Sequence, residues 1–259
     1  MPATMSIASK SSRAVPRRPD VFWLRQDQAD VPADDDWLSP AEVDQLKGMR
    51  FLKRRADWRL GRWTAKRALA FYLDRPGGLA DIEVRPTESG APRAFVANQP
   101  APVSISLSHS AGTGLCAVAP PDTALGCDVE SIEPRTEVFL GDYFTPDEQS
   151  LVAGVPLEDR PLISTLLWSA KESALKVLGV GLRLDTRSIK VSLPDEQPGL
   201  LEGNERRVTP TYGVNTWQAL FVHCDSGRLF DGWWQCAGKF VQTLIADPPA
   251  GRPMALPHL

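Results

Sequence analysis

The sequence predicts an α+β protein of two halves, each combining helix with short strands in a similar order. Helical periodicity is confined to two long stretches, about residues 40–73 and 161–179. Short β-rich runs bounded by turn residues follow each of them. Between the halves, A-P-P-D-T-A-L at 119–125 reads as a linking turn.

Residues 1–20 carry scattered basic side chains without an apolar run and read as a flexible tail. The N-terminal half, 21–124, contains a helix opened by Ser39-Pro40-Ala41-Glu42, a serine N-cap with glutamate three residues on. Strands are expected at 82–85, 93–97, 103–108 and 115–119. The C-terminal half, 125–246, starts with the strand G-C-D-V-E-S and passes through acidic loops to the second helix. Strands return at 188–192, 217–223 and 233–246, and the Pro-rich segment 247–259 reads as a second flexible tail. No repeat between the halves is visible residue by residue.

The 259 residues are 42% hydrophobic and 24% charged with a net charge of −3, a profile that suits a globular core and excludes disorder, collagen and coiled coil for the bulk. No apolar stretch approaches the ~20 residues a bilayer requires, so no membrane partner and a cytoplasmic location are expected. Cys116, Cys127, Cys224 and Cys236 stand far apart, and with His109, His223 and His258 they match neither zinc nor disulfide spacing. Buried reduced thiols are the expectation.

Charge is unevenly distributed. Residues 47–67 hold nine basic side chains against Asp57, whereas 128–148 is strongly acidic. That pairing suits a polyanion held partly by arginine and partly through a divalent metal. Arg55, Arg59, Arg62 and Lys66 fall on one helical stripe, which also reads as a solvated face or, with Trp58 and Trp63, a nucleic-acid contact. The pI near 5.7 argues against an extended nucleic-acid footprint.

Asp128 and Glu130 flank Val129, so a strand would aim both carboxylates to one side, toward a shared cation or simply toward solvent. Lys171 lies within the apolar arc of the second helix, either snorkelling or facing a ligand anion. Glu172 and Lys176, four apart, could form a surface pair. Ser108 and His109 end a strand on opposite faces and so cannot act as a hydrolase dyad. They are placed instead to meet phosphate or to serve structure.

Taken in order, S-H-S at 108–110, G-C-D-V-E at 126–130 and W-S-A-K-E-S-A-L-K at 168–176 resemble the three motifs of the surfactin-type 4′-phosphopantetheinyl transferases. The resemblance extends through R-R-A-D-W-R-L-G-R at 54–62 and S-G-A-P at 89–92 and covers about residues 20–246. It implies a monomer of two pseudo-symmetric α/β halves with coenzyme A in the cleft between them. The implied reaction moves phosphopantetheine from coenzyme A to a serine of an apo acyl or peptidyl carrier protein, with Mg²⁺, releasing 3′,5′-ADP. Carrier activation for polyketide or nonribosomal peptide synthesis is the implied setting.

By position the resemblance makes Asp128, Glu130 and Glu172 magnesium ligands. Glu172 and Glu148 become candidate bases, and Lys171, Lys176, Ser108 and His109 phosphate contacts, with Lys171 also counted as catalytic. Arg54 and Arg62 would face the nucleotide. Relatives have G-K-P where this chain has Gly90-Ala91-Pro92, and Arg93 is the expected substitute for the missing lysine. The apolar loop 139–144 would dock the carrier. Another magnesium-dependent nucleotide enzyme and a noncatalytic binding module are the competing readings.

Overall fold

The computed structural model describes residues 18–75, 78–194 and 215–257. Most of the expected N-terminal tail therefore lies outside the described residues. In chain order the first half forms β1 (Phe22–Asp27), α1 (Pro40–Lys47), α2 (Leu52–Tyr72), β2 (Ile82–Pro86), β3 (Pro92–Val96), β4 (Gln99–Pro100), β5 (Ser104–Ser110) and β6 (Thr113–Ala119). The second forms β7 (Ala124–Ser131), α3 (Glu137–Tyr143), α4 (Pro146–Gly154), α5 (Arg160–Leu178), β8 (Ile189–Ser192), β9 (Gln218–Cys224), β10 (Leu229–Ala237), β11 (Phe240–Asp247) and β12 (Met254–Ala255). The mixed α+β class holds.

Three sheets organise the molecule, ordered β12-β1-β6-β5, β2-β3-β4 and β7-β11-β10-β9-β8. Helix α2 packs on β6 and β1, and α5 on β7 and β11. Each packing closes on a glycine. A Cβ on Gly114 would stand 2.7 Å from Thr64 Oγ1, and one on Gly126 only 1.9 Å from the Ser173 carbonyl oxygen. The glycine that opens G-C-D-V-E thus lets α5 lie directly against the strand carrying Asp128 and Glu130.

Several expectations are corrected. The helix over 40–73 is two helices, because Gly48 ends α1 and the extended Phe51 (φ −92°, ψ 125°) begins α2. The acidic run after β7 forms α3 and α4, capped by the Thr136 and Thr145 hydroxyls, with acidic residues in first turns where the helix dipole favours them. The strand over 233–246 is the β10–β11 hairpin, turning at Gly238 (φ +63°). Strand β1, unassigned from sequence, pairs with β6 along its whole length.

The C-terminal segment is not a tail. β12 runs parallel to β1, and the Met254 and Leu256 N–H groups donate to Val21 and Trp23 carbonyls at 2.9 and 2.8 Å. Leu256 is buried with Leu24 and Ile82, while Ala250 is buried with Leu244 and Trp217. Proline content suggested disorder, but the backbone of β12 finds a free strand edge while Ala250, Pro253 and Leu256 are buried.

A repeat relates the two halves. Trp63-Thr64-Ala65-Lys66 on α2 corresponds to Trp168-Ser169-Ala170-Lys171 on α5. Lys66 pairs with Glu42 of the α1 capping box, and Lys171 with Glu148 of the α4 capping box at 2.8 Å. Glu42 accepts from the Val84 N–H of β2 at 3.4 Å, and Glu148 from the Val191 N–H of β8 at 2.9 Å. Each lysine also donates to carbonyls around the start of that strand, Leu79 in one half, Thr186 and Ile189 in the other. The repeat lies in a hydrogen-bond pattern, with only W-[T/S]-A-K shared as sequence.

Removing the β12 anchor should therefore be costly. Leu256→Ala is expected to destabilise the protein by about 2–4 kcal/mol, measured by urea denaturation, whereas a true tail residue would change nothing.

Candidate functional site

The edge strands β5 and β7 face each other across the junction of the two halves. Serines at alternate positions of S-I-S-L-S-H-S line that junction. Ser106 Oγ accepts the Cys127 N–H at 2.9 Å. Ser108 donates to Asp128 Oδ1 at 2.7 Å and Ser110 to Glu130 Oε2 at 3.3 Å. His109, on the opposite face of the strand, is exposed and is not brought to the carboxylates. Ser110, to which the motif assigns no role, is selected by the same period of two that selects Ser108.

Helix α5 supplies the other wall. Lys176 Nζ donates to Asp128 Oδ1 at 3.0 Å and to the Cys127 carbonyl at 2.7 Å. Burial opposes its charge, but Asp128 and its neighbours outweigh that and hold the ammonium above its usual range. The Glu172 carboxyl is pushed up by burial and by Asp128 and Glu130. Glu130 is pushed up by burial and Asp128, against the pull of Arg135. Asp128 is 3% exposed, and its Oδ2 is buried without a hydrogen-bond partner.

The Glu130 and Glu172 carboxyls are both pushed up beside Asp128, and one buried Asp128 oxygen is orphaned. A divalent cation would relieve both conditions, so the donor set fits magnesium in kind. Among the described residues no three His, Cys, Asp or Glu side chains stand close enough together to hold an ion by themselves. Magnesium needs only one or two carboxylates beside phosphate oxygens and water.

Lys171 and Glu148 are corrected. Lys171 is fully buried, turned away from Glu172, and saturated by Glu148 and two carbonyls. Burial lowers its pKa and Glu148 raises it, the net direction being down. Glu148, 1% exposed, accepts from the Thr145 and Val191 N–H groups as well as Lys171. Neither side chain reaches the junction as a phosphate contact or base. A lysine in an apolar arc was a sound signal of a buried anion, and the anion is the protein's own.

The basic stripe of α2 is likewise spent internally. Arg55 donates to the Leu46 carbonyl at 3.2 Å, Arg59 to the Asp34 carbonyl at 2.8 Å and pairs with Asp35 at 3.0 Å. Arg62 lies 3.5 Å from Glu42 and over the Trp58 ring at 4.8 Å, and burial lowers its pKa despite Glu42. Arg62 is thus drawn toward α1, while Arg54 is exposed on the first turn of α2. Arg93 is exposed on β3, opposite Arg85 and beside Phe95. In the expected docking loop Phe144 is fully buried and Phe139 and Tyr143 pack on Trp168; Val138 is the exposed apolar residue.

A raised carboxyl pKa in the folded state means that the metal-free protein binds its proton more tightly than the unfolded chain does. Its stability then rises as pH falls through the raised pKa toward the ordinary glutamate value of 4.5. At neutral pH the ionised Glu172 costs stability. Glu172→Gln should therefore raise the melting temperature of chelator-treated protein at pH 7.5 by a few degrees, and the gain should vanish below pH 4.5.

Comparison with known proteins points the same way. Residues 124–222 match the family model described as the 4′-phosphopantetheinyl transferase superfamily. The chain is 28% identical over 169 residues to the 4′-phosphopantetheinyl transferase HetI of Nostoc sp., covering 64% of this chain and 69% of that protein. It is 33% identical over 129 residues to a 4′-phosphopantetheinyl transferase of Bacillus subtilis, covering 49% of this chain and 57% of the relative. A solved holo-(acyl-carrier-protein) synthase of Bacillus anthracis in complex with CoA aligns at 21% identity with a TM-score of 0.33, covering 39% of this chain and 94% of that one. The stretch that matches the superfamily model, residues 124–222, is the one that holds Asp128, Glu130, Glu172 and Lys176.

Proposed function

We propose that this protein transfers the 4′-phosphopantetheine group of coenzyme A to a serine hydroxyl of an apo carrier protein, as a surfactin-type enzyme acting as a monomer. The observation that carries the reading is the junction itself: Asp128 and Glu130 stand with Lys176 and the β5 serines, and the field of both acids reaches Glu172, inside the matched region. The serine oxygen forms a bond to the β-phosphorus, the pyrophosphate P–O bond breaks, and 3′,5′-ADP leaves with the electron pair.

Asp128, Glu130 and Glu172 would hold Mg²⁺, which when bound supplies charge neutralisation at the pyrophosphate. Lys176, kept protonated by Asp128, supplies positive charge beside it. Burial and two neighbouring carboxylates push the Glu172 carboxyl up, which makes it the candidate base for the serine proton. Arg54 and Arg93, both exposed, are the cations available to the nucleotide end, while Arg62 orients α1. The acidic carrier helix would approach α3, where Val138 is 72% exposed and Arg135 lies at the helix entrance.

Purified protein with coenzyme A and Mg²⁺ should convert an apo carrier to its holo form by intact mass, and chelation should stop it. Failure with acyl and peptidyl carriers alike, using folded protein, would overturn the proposal. Glu172→Gln should lose kcat by at least a hundredfold and shift the Mg²⁺ titration. Glu148→Gln should leave the Mg²⁺ titration unmoved and cost about 3–5 kcal/mol of stability, because Lys171 stays buried without its counter-charge.

A further inference from the structure

Arg135 has no part in the motifs, yet it touches the carboxylate set from outside. Its Nη2 lies 3.7 Å from Glu130 Oε2, the same oxygen that accepts from Ser110. Its guanidinium carbon stands 4.9 Å from the Phe139 ring centre on α3, and its Nε is buried without a hydrogen-bond partner. Beyond it opens a cavity of about 640 Å³ between α3, α4 and the start of α5, lined also by Glu137, Leu140, Leu157 and Arg160. Arg135 is the side chain common to that cavity and to the carboxylate set.

We infer that Arg135 is a positioning residue that holds Oε2 of Glu130 outward, with Ser110, so that the other carboxylate oxygen is presented toward Asp128. A bidentate-capable planar group is suited to this task, and stacking on Phe139 fixes its plane. Outer partners of metal-binding carboxylates commonly change metal affinity ten- to a hundredfold. The inference rests on the functional reading above, but its primary readout does not require transfer activity.

Two accounts of Arg135 predict opposite signs. If it positions Glu130, Arg135→Ala weakens cation binding. If it acts only as a nearby positive charge, the same change relieves repulsion and tightens binding. Mn²⁺ binding followed by electron paramagnetic resonance, in the presence of coenzyme A, separates them. We expect Arg135→Ala to weaken Mn²⁺ at least tenfold and to lower kcat. Arg135→Gln, which keeps a planar donor without the charge, should recover most of the Mn²⁺ affinity. Phe139→Leu, which removes the stack together with the ring contacts to Tyr143, Phe144 and Trp168, should fall between. Mn²⁺ binding by Arg135→Ala as tight as the parent's, or tighter, would overturn the inference, as would a lowered melting temperature with Mn²⁺ affinity unmoved. Absence of transfer by the parent protein would instead count against the functional reading and leave the Mn²⁺ comparison intact.

Discussion

The ion pair between Lys171 and Glu148 orders the second half of the molecule. Both groups are out of water, and a charge so placed is tolerated only when its partner and its remaining hydrogen-bonding positions are supplied. Three elements supply them: the α4 capping box, the Val191 N–H and the carbonyls of Thr186 and Ile189. Lys171 therefore fixes the rotation of α5 about its axis. With Lys171 aimed at α4, Glu172 and Lys176, four residues apart, turn to β7. Glu42 and Lys66 impose the same rotation on α2.

Identical frames make the difference in content informative. Trp63 Nε1 donates to Gln26 of β1 at 2.9 Å, and Trp168, at the matching position of α5, draws the Glu130 carboxyl of β7 down. Gln26 therefore answers to Glu130, Leu24 to Asp128, and Arg67 to Glu172. The N-terminal frame holds an apolar, a neutral and a cationic group where the C-terminal frame holds three acids. Only one frame accumulates like charge, at the cost reflected in the raised Glu130 and Glu172 carboxyls. Such a cost persists where a ligand cation offsets it. The N-terminal half contributes through β5, whose serines cross to the acids of the other half.

Much of this was legible in the residues. The α+β class followed from helix periodicity and short strands, and the convergence of Asp128 with Glu130 followed from their spacing of two. Lys171 shows where reading stopped. A lysine in an apolar arc says that an anion is nearby, but the partner lies on another helix at Glu148, beyond any local pattern. The same holds for Arg59 and Arg62, whose helical stripe looked like a surface for polyanions and instead ties down carbonyls and acids of the segment before α2. The C-terminal segment failed for a related reason: β12 gains its order from the free edge of β1, a strand at the other end of the chain.

The junction of β5 with β7 explains why chemistry gathers there. Each is the outermost strand of its sheet on that side, so neither backbone is satisfied by a continuous ladder across the gap. Side chains take over the task. Deepest in the seam, Ser106 accepts the Cys127 N–H and is buried, a structural bond. Two residues on, Ser108 bonds Asp128, and two further, Ser110 bonds Glu130 where both side chains are only half-buried. The same repeated hydroxyl passes from replacing a backbone partner to setting acids at an opening. A seam closed by side chains rather than by a ladder can present polar groups to a ligand without breaking either sheet.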